Sequence, residues 1–267
     1  MPKDVVHTLQ DLTHLDWSES ATSSATGGSY LKARSGDGTE ATYYKLSCYD
    51  ELNGVYGHEC VNETIAARLM DVLCVEHVPY RLVHARVRID GHEYETWLSE
   101  SASFRKRGES KVSLARFYGL NRLEGETRLQ FCERFGWTRA VQKAMLVDFL
   151  IANRDRHGGN LEVLKGGDGV LRLAPLFDNG LSLCYSSFSS EQLDDVDPLR
   201  DVIANNFLGT RSLQQNLEAL VPGDLPIARL GAAHEAELFD GLAPALDGAV
   251  RGMSGKAFAK FLWQMIW

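Results

Sequence analysis

The feature that most constrains this 267-residue chain is a polar loop at 153–160, which reads NRDRHGGN. The loop places Asp155 and Asn160 five positions apart, and two short β-prone runs follow it around the turn sequence KGGDG. A hairpin of this kind brings its two ends together. Asn160 enters the first run and Asp178 follows the second, so we expect these two side chains to meet at one place.

Polar side chains in this order indicate phosphoryl transfer. In kinases a loop carboxylate accepts or steers the proton of the attacking hydroxyl, while an Asn and a later Asp hold Mg²⁺ against the ATP phosphates. Asp155 is therefore predicted as the catalytic base, and Asn160 and Asp178 as the metal ligands. His157 is a second catalytic candidate that orients Asp155 or touches the γ-phosphate, although a structural role within the loop is slightly favoured.

The segment before the loop predicts a buried helix over 139–152. Its residues are apolar on nearly every face, which is typical of a helix enclosed by protein. Thr138 is the predicted N-terminal cap of this helix. Asp148 interrupts the apolar pattern and has two interpretations, a buried hydrogen-bonded acid or an exposed edge of the helix, and the exposed edge is favoured.

The N-terminal half is predicted to bind ATP through a loop of small residues. Residues 18–29 read SESATSSATGGS and end in Gly27, Gly28 and Ser29. Small residues before a strand let backbone N–H groups approach phosphates closely. The segment is not a Walker A loop, because no GxxxxGK[ST] pattern occurs in the chain. Gly27, Gly28 and Ser29 are therefore the predicted phosphate-binding residues.

A lysine and a glutamate complete the predicted ATP site. Lys45 lies in a predicted strand over 40–46, and Glu63 lies in a predicted helix over 58–73. Kinases use a strand lysine to reach the α- and β-phosphates and a helix glutamate to hold that lysine. Lys45 and Glu63 are predicted to form this ion pair, with Lys32 on the preceding strand as the alternative lysine.

The composition argues against several other classes of protein. The chain is 44% hydrophobic and has no uninterrupted apolar run long enough to span a bilayer, so we expect a soluble, cytoplasmic protein without a membrane partner. No signal-peptide pattern occurs at the start. The five scattered cysteines are expected to be reduced thiols. The net charge of −8 argues against direct nucleic-acid binding, which needs Lys and Arg to neutralise phosphates.

Five motifs in kinase order resemble the HipA-like serine/threonine kinases of bacteria. The motifs are TGGSYLK, YYKLS, VNETIAARL, NRDRHGGN and APLFDNG. The resemblance implies an α+β, bilobal protein-kinase-like fold, with a small strand-rich N-lobe at 1–100 and a mainly helical C-lobe at 101–267. It also implies that Asp155 is the catalytic base and that Lys45 anchors the phosphates of ATP.

The same resemblance implies a class of substrate and a class of partner. Family members phosphorylate Ser or Thr of proteins, and several are toxins of toxin–antitoxin modules, so an antitoxin-like partner is expected. The extra N-terminal subdomain of full-length HipA has no room before the predicted ATP loop, so we expect a stand-alone kinase core. Family members autophosphorylate a serine in that loop, and Ser23, Ser24 and Thr26 stand near the corresponding position. Asn179 rather than Phe follows Asp178, so the phenylalanine switch of eukaryotic kinases is not expected.

Two alternative functions remain open from the sequence. The DRHxxN pattern followed by Asp also resembles phosphatidylinositol 3-/4-kinases. Acidic residues after Asp178 would repel an inositol phosphate and favour a basic protein substrate. These residues are Glu191, Asp194, Asp195 and Asp197. The second alternative is a nucleotide-binding pseudokinase scaffold, which the complete set of predicted catalytic residues disfavours.

Overall fold

The computed structural model describes residues 3–19 and 29–267, and these residues form an α+β structure. The described strands are β1 (Val5–Asp11), β2 (Ser18–Glu19), β3 (Ser29–Ser35), β4 (Thr42–Asp50), β5 (Gly54–Tyr56), β6 (Arg81–Ile89), β7 (His92–Ala102), β8 (Ser110–Ser113), β9 (Asp155–Arg156), β10 (Glu162–Lys165), β11 (Leu171–Leu173) and β12 (Asn205–Asn206). The described helices are α1 (Glu59–Val72), α2 (Leu114–Asn121), α3 (Arg128–Arg134), α4 (Thr138–Leu150), α5 (Ser190–Asp194), α6 (Leu213–Leu220), α7 (His234–Phe239), α8 (Ala243–Leu246) and α9 (Gly255–Ile266).

The main sheet positions two lysines on one face. Among the described residues, seven strands form this sheet in the order β1-β6-β7-β4-β3-β2, with β5 paired to β4. Strands β3 and β4 are antiparallel, and their register places Lys32 opposite Lys45. Residues directly opposite each other on antiparallel strands project to the same face of a sheet. Both lysines therefore project toward the same side of the β3–β4 hairpin.

Helix α1 is buried along most of its length. Val61, Ile65 and Leu69 are fully buried at helical spacing, which confirms the predicted helix, and Glu63 is fully buried as well. The helix contacts β4, β6 and β7 of the main sheet and also contacts α7. A buried carboxylate such as that of Glu63 costs free energy unless it is paired, so this position requires a polar or cationic partner.

The predicted hairpin and the predicted helix before it are both present. Strands β10 and β11 pair antiparallel, and β8 pairs with the other edge of β10. The cap assigned to Thr138 is wrong, because α4 begins at Thr138 itself and Trp137 occupies the capping position without a side-chain cap. Trp137 is buried, and its ring stacks on that of Phe135 with the centroids 4.8 Å apart. The helix is also less enclosed than predicted, since Phe149 is 38% exposed.

The predicted α+β fold class is confirmed. The strands of the main sheet lie between Val5 and Ala102, and the regular secondary structure after Ala102 is mainly helical. The lobe boundary near residue 100 stays a prediction. One hydrophobic core joins residues of both parts, including Leu82 of β6 and Phe258 of α9. No helix in the described residues is long and apolar enough to cross a membrane.

The buried His58 makes stability depend on pH. Burial lowers the pKa of this histidine to about 4, and its ring lies edge-on to Phe258. The unfolded chain binds a proton here below roughly pH 6.5, whereas the folded chain does so only below about pH 4. Stability is therefore lost as the pH falls through this window, by about 2 kcal/mol between pH 7 and pH 5. Urea unfolding at both pH values should show a larger loss for the wild type than for His58→Gln, and equal losses would contradict this.

Candidate active site

A cavity of about 320 Å³ lies between the main sheet and the loops that follow α4. Part of its lining is charged or polar: Lys32, Lys45, Glu63, Asn160 and Asp178. Another part is apolar or aromatic: Val78, Ala102, Phe104 and Phe177. The Phe104 and Phe177 rings stack with their centroids 5.5 Å apart. A cavity with an aromatic part and a cationic part suits a ligand that combines a flat ring with phosphate groups.

Lys45 connects the main sheet, α1 and the loop after β11. Its Nζ lies 3.3 Å from Glu63 Oε1 and 2.5 Å from Asp178 Oδ1. Lys32 Nζ lies 3.6 Å from the other Asp178 oxygen, Oδ2. The alternative lysine of the sequence analysis is thus in the site too, but Lys45 is the lysine that pairs with Glu63 in the structure.

The charges in this cluster stabilise one another. Burial raises the pKa of Asp178, but the ammonium groups of Lys45 and Lys32 outweigh that effect and hold the pKa well below its usual value. Burial likewise lowers the pKa of Lys45, and the Asp178 and Glu63 carboxylates more than compensate, so the net shift is upward. Asp178 is therefore ionised and Lys45 is protonated at neutral pH.

The backbone of Asp178 is held in a conformation that few residues other than glycine adopt. Its φ is +57°, in the left-handed region, which Asp enters more readily than most residues with a Cβ. The Asp178 amide donates to the Tyr80 hydroxyl at 3.3 Å, and the Asn179 amide donates to Glu63 Oε2 at 2.7 Å. These backbone contacts hold Asp178 where its carboxylate meets Lys45.

The 153–160 loop folds so that Asp155 and Asn160 are linked. The Asn160 side-chain Nδ2 donates to the Asp155 carbonyl at 2.8 Å. The Asp155 backbone amide donates a hydrogen bond to Asn153 Oδ1 at 3.1 Å, which holds the backbone of Asp155 in place. Burial raises the pKa of Asp155, and this rise is partly offset by His157 and by a hydrogen bond from Asn205. A raised pKa makes a carboxylate a better proton acceptor.

His157 has contacts that support a structural role in the loop. Its Nδ1 accepts hydrogen bonds from the backbone amides of Gly159 at 2.9 Å and Asn160 at 3.3 Å. An added Cβ at Gly159 would lie 2.7 Å from the His157 ring, so glycine is needed for this close approach. With Nδ1 as acceptor, the proton of a neutral ring sits on Nε2, which lies 3.7 Å from Asp155 Oδ2.

Arg156, for which the sequence motifs imply no role, contacts several residues around the site. It is fully buried and its guanidinium forms an ion pair with Asp148 of α4, with Nη2 2.8 Å from Oδ1. Its Nη1 donates to the Phe177 carbonyl at 2.8 Å, and Nη2 donates to Asn179 Oδ1 at 2.5 Å. The favoured interpretation of Asp148 as an exposed edge is therefore wrong, because this acid is fully buried against a cation from the loop. Arg156 links the loop of Asp155 to both neighbours of Asp178.

The predicted phosphate loop remains a prediction. Gly27 and Gly28 lie outside the described residues, as do Ser23, Ser24 and Thr26. Ser29 is the first residue of β3. Strand β3 also carries Lys32, which lines the cavity, so the predicted loop comes just before a cavity-lining strand in the sequence.

The site offers a donor set that fits Mg²⁺. Asn160 and Asp178 both line the cavity, and they supply one amide oxygen and one carboxylate. Mg²⁺ binds through one or two carboxylates and completes its octahedron with water and phosphate oxygens. In the part of the chain that the structure describes, no group of three or more His, Cys, Asp or Glu side chains could hold a metal. The oxygen donors of Asn160 and Asp178 are of the kind that a Mg²⁺ ion shared with phosphate groups would use.

Comparison with known proteins supports a kinase-like fold. No protein-family model and no curated protein matches the chain. The structure is similar to the crystal structure of the Helicobacter pylori proinflammatory kinase CtkA, with a TM-score of 0.54 and 14% identity, over 97% of this chain and 92% of that chain. It is less similar to HipA of Shewanella oneidensis MR-1, solved with HipB and operator DNA, with a TM-score of 0.43 and 15% identity, over 91% of this chain and 63% of that chain.

The conclusion about the fold rests on the similarity to CtkA. Its coverage of nearly the whole of both chains shows that this chain has the fold of a bacterial kinase. The resemblance predicted from the sequence motifs is thereby confirmed as a likeness of fold. The roles of the individual site residues stay predictions that the geometry above supports.

Proposed function

We propose that this chain is an ATP- and Mg²⁺-dependent protein kinase that transfers the γ-phosphoryl group to a Ser or Thr hydroxyl. The observation that carries the proposal is the meeting of Lys45, Glu63 and Asp178 in one cavity that Asn160 also lines. These are the parts that phosphoryl transfer requires, supplied by a strand, a helix and two loops. The kinase-like fold agrees with this assignment.

Each residue has a role that its surroundings support. Asp155 would accept or steer the proton of the attacking hydroxyl. Lys45 would hold the α- and β-phosphates, with Glu63 keeping its ammonium group in place. Asn160 and Asp178 would hold Mg²⁺, which when bound neutralises charge on the phosphate oxygens. The free protein already brings Lys45, Glu63, Asn160 and Asp178 to one cavity. Binding of Mg²⁺ and ATP would replace the contacts that Asp178 now makes with Lys45 and Lys32.

A basic segment of a protein is the acceptor that we propose. Acidic side chains are exposed in and after α5, in the part of the chain that leads to Asn205 beside Asp155. They are Glu191, Asp194, Asp195 and Asp197. Their negative charge would favour a substrate segment rich in Lys and Arg and would disfavour an anionic lipid head group. An antitoxin-like partner stays a prediction from the sequence motifs.

Transfer to protein and transfer to lipid can be compared in one experiment. The purified protein is incubated with radiolabelled ATP and Mg²⁺, with either myelin basic protein or phosphatidylinositol vesicles. We expect label in the protein, recovered as phosphoserine or phosphothreonine, and none with Asp155→Ala. Label in the lipid would instead support a lipid kinase. ATP binding without any transfer would support a pseudokinase scaffold and contradict the proposal.

His157→Ala is expected to impair turnover more than ATP binding. The substitution removes the Nδ1 acceptor that orders the Gly159 and Asn160 amides, so the loop that carries Asp155 loses its fixed geometry. We expect kcat to fall about 10- to 100-fold, with a much smaller change in the KM for ATP. His157→Asn keeps a side-chain acceptor close to the backbone and should recover part of the rate. Equal losses in turnover and ATP affinity would contradict this role.

A further inference from the structure

The carboxylate of Asp155 has a partner that lies far away in the sequence. Asn205 Nδ2 donates a hydrogen bond of 3.0 Å to Asp155 Oδ1. On the other side, His157 Nε2 lies 3.7 Å from Oδ2, which is beyond hydrogen-bonding distance. Asn205 therefore makes the closer of these two side-chain contacts with the predicted proton acceptor.

The backbone holds Asn205 in this place. Strand β12 pairs in parallel with β9, and the register sets Asn205 against Asp155. The Asn205 amide donates to the Arg154 carbonyl at 2.8 Å, and the Phe207 amide donates to the Arg156 carbonyl at 3.0 Å. The side chain of Asn205 thus extends from a backbone that is bonded to the catalytic loop on both sides of Asp155.

Asn205 is exposed, so its contact with Asp155 is not a part of the packing of the core. Asn205 is exposed, whereas its neighbour Asn206 is buried and accepts hydrogen bonds from the amides of Leu208 and Gly209. Loss of an exposed side chain that makes no core contact usually changes stability little. Asn205 is also not among the residues that line the cavity described above.

We propose that Asn205 is a positioning residue that fixes the orientation of the Asp155 carboxylate for proton acceptance from the substrate hydroxyl. The inference rests on the proposed kinase function. A carboxylate with Oδ1 held by an amide does not rotate freely, so Oδ2 remains available to the hydroxyl in one orientation. Correct orientation of a catalytic group contributes strongly to rate, and small displacements are costly.

The test compares Asn205→Ala with wild type in steady-state transfer from ATP to myelin basic protein. We expect kcat to fall about 10- to 100-fold, with the KM for ATP and the melting temperature nearly unchanged. Asn205→Asp places a second carboxylate against Asp155 and should lower kcat further, because like charges repel at this distance. Asn205→Gln keeps the amide donor and should recover part of the rate lost in Asn205→Ala.

A matched control is Asn121→Ala in α2. Asn121 is also an exposed asparagine that donates one hydrogen bond, to the Phe117 carbonyl at 2.8 Å, and its loss should leave kcat unchanged. An unchanged kcat in Asn205→Ala would overturn the inference while leaving the kinase assignment intact. A fall in kcat matched by an equal loss of ATP affinity or by a lower melting temperature would also overturn it. A wild-type protein without transfer would contradict the proposed function itself.

Discussion

Replacing Asp178 by Asn is expected to reduce phosphoryl transfer by about 100- to 1,000-fold while the chain still folds. The substitution preserves the size of the side chain and removes the charge that Lys45 and Lys32 contact. A neutral amide is a poorer ligand for Mg²⁺ than a carboxylate, and it leaves two ammonium groups without their shared anion. The rate of labelling of myelin basic protein measures the loss, and circular dichroism checks the fold.

Asp168→Asn is the control for this substitution. Asp168 lies on the same hairpin as the strand before Asp178, but it is exposed in the turn and accepts a hydrogen bond from the Val170 amide at 3.0 Å. Its substitution should leave the transfer rate within about twofold of wild type, since surface changes of this kind are mild. Undiminished transfer by Asp178→Asn would contradict its assignment as a metal ligand.

Replacing Arg156 by Met is expected to destabilise the fold by about 3–5 kcal/mol. Arg156 and Asp148 are both fully buried and form an ion pair of 2.8 Å. Loss of the guanidinium leaves the Asp148 charge in the core without its cation, and it also leaves the Phe177 carbonyl without a donor. Urea unfolding at pH 7 measures the effect, which corresponds to a fall of roughly 10 °C in melting temperature.

Two further variants distinguish the effect of leaving a buried charge without its partner from the effect of losing an arginine side chain. Arg154→Met removes the neighbouring arginine, which is exposed and lies over the Tyr185 ring, and should cost about 0.5 kcal/mol or less. The double variant Arg156→Met/Asp148→Leu removes both buried charges and should be more stable than Arg156→Met alone. If Arg156→Met lowers the free energy of unfolding no more than Arg154→Met does, the buried Arg156–Asp148 pair does not stabilise the fold as proposed here.

Elements with strong local signals could be predicted from the sequence. The apolar spacing of Val61, Ile65 and Leu69 predicts α1, because helical periodicity depends on residues within a few turns. The turn sequence KGGDG predicts the hairpin of β10 and β11 for a similar reason. The proximity of Lys45 and Glu63 was predicted from the order of the motifs, and the structure places these side chains 3.3 Å apart.

Contacts between distant residues could not be read from these patterns. A single acid in an apolar helix gives no sign of its partner, so the local pattern favours an exposed edge for Asp148, whereas the structure pairs its buried carboxylate with Arg156. Asn205 lies fifty residues beyond Asp155, and nothing in its local sequence indicates that contact. Local sequence also misleads at the start of α4, because Thr138 has the side chain of a helix cap but is the first residue of the helix, after the buried Trp137.

The central claim is that this site transfers phosphate from ATP, and intact-mass measurement tests it most directly. The pure wild-type protein and Asp155→Ala are each incubated with ATP and Mg²⁺ and then weighed by mass spectrometry. We expect phosphate-sized mass gains in the wild type alone, and peptide mapping would then test Ser23, Ser24 and Thr26 as acceptors. A wild-type protein that neither gains mass nor binds ATP in a calorimeter would contradict it, as would an equal gain in Asp155→Ala.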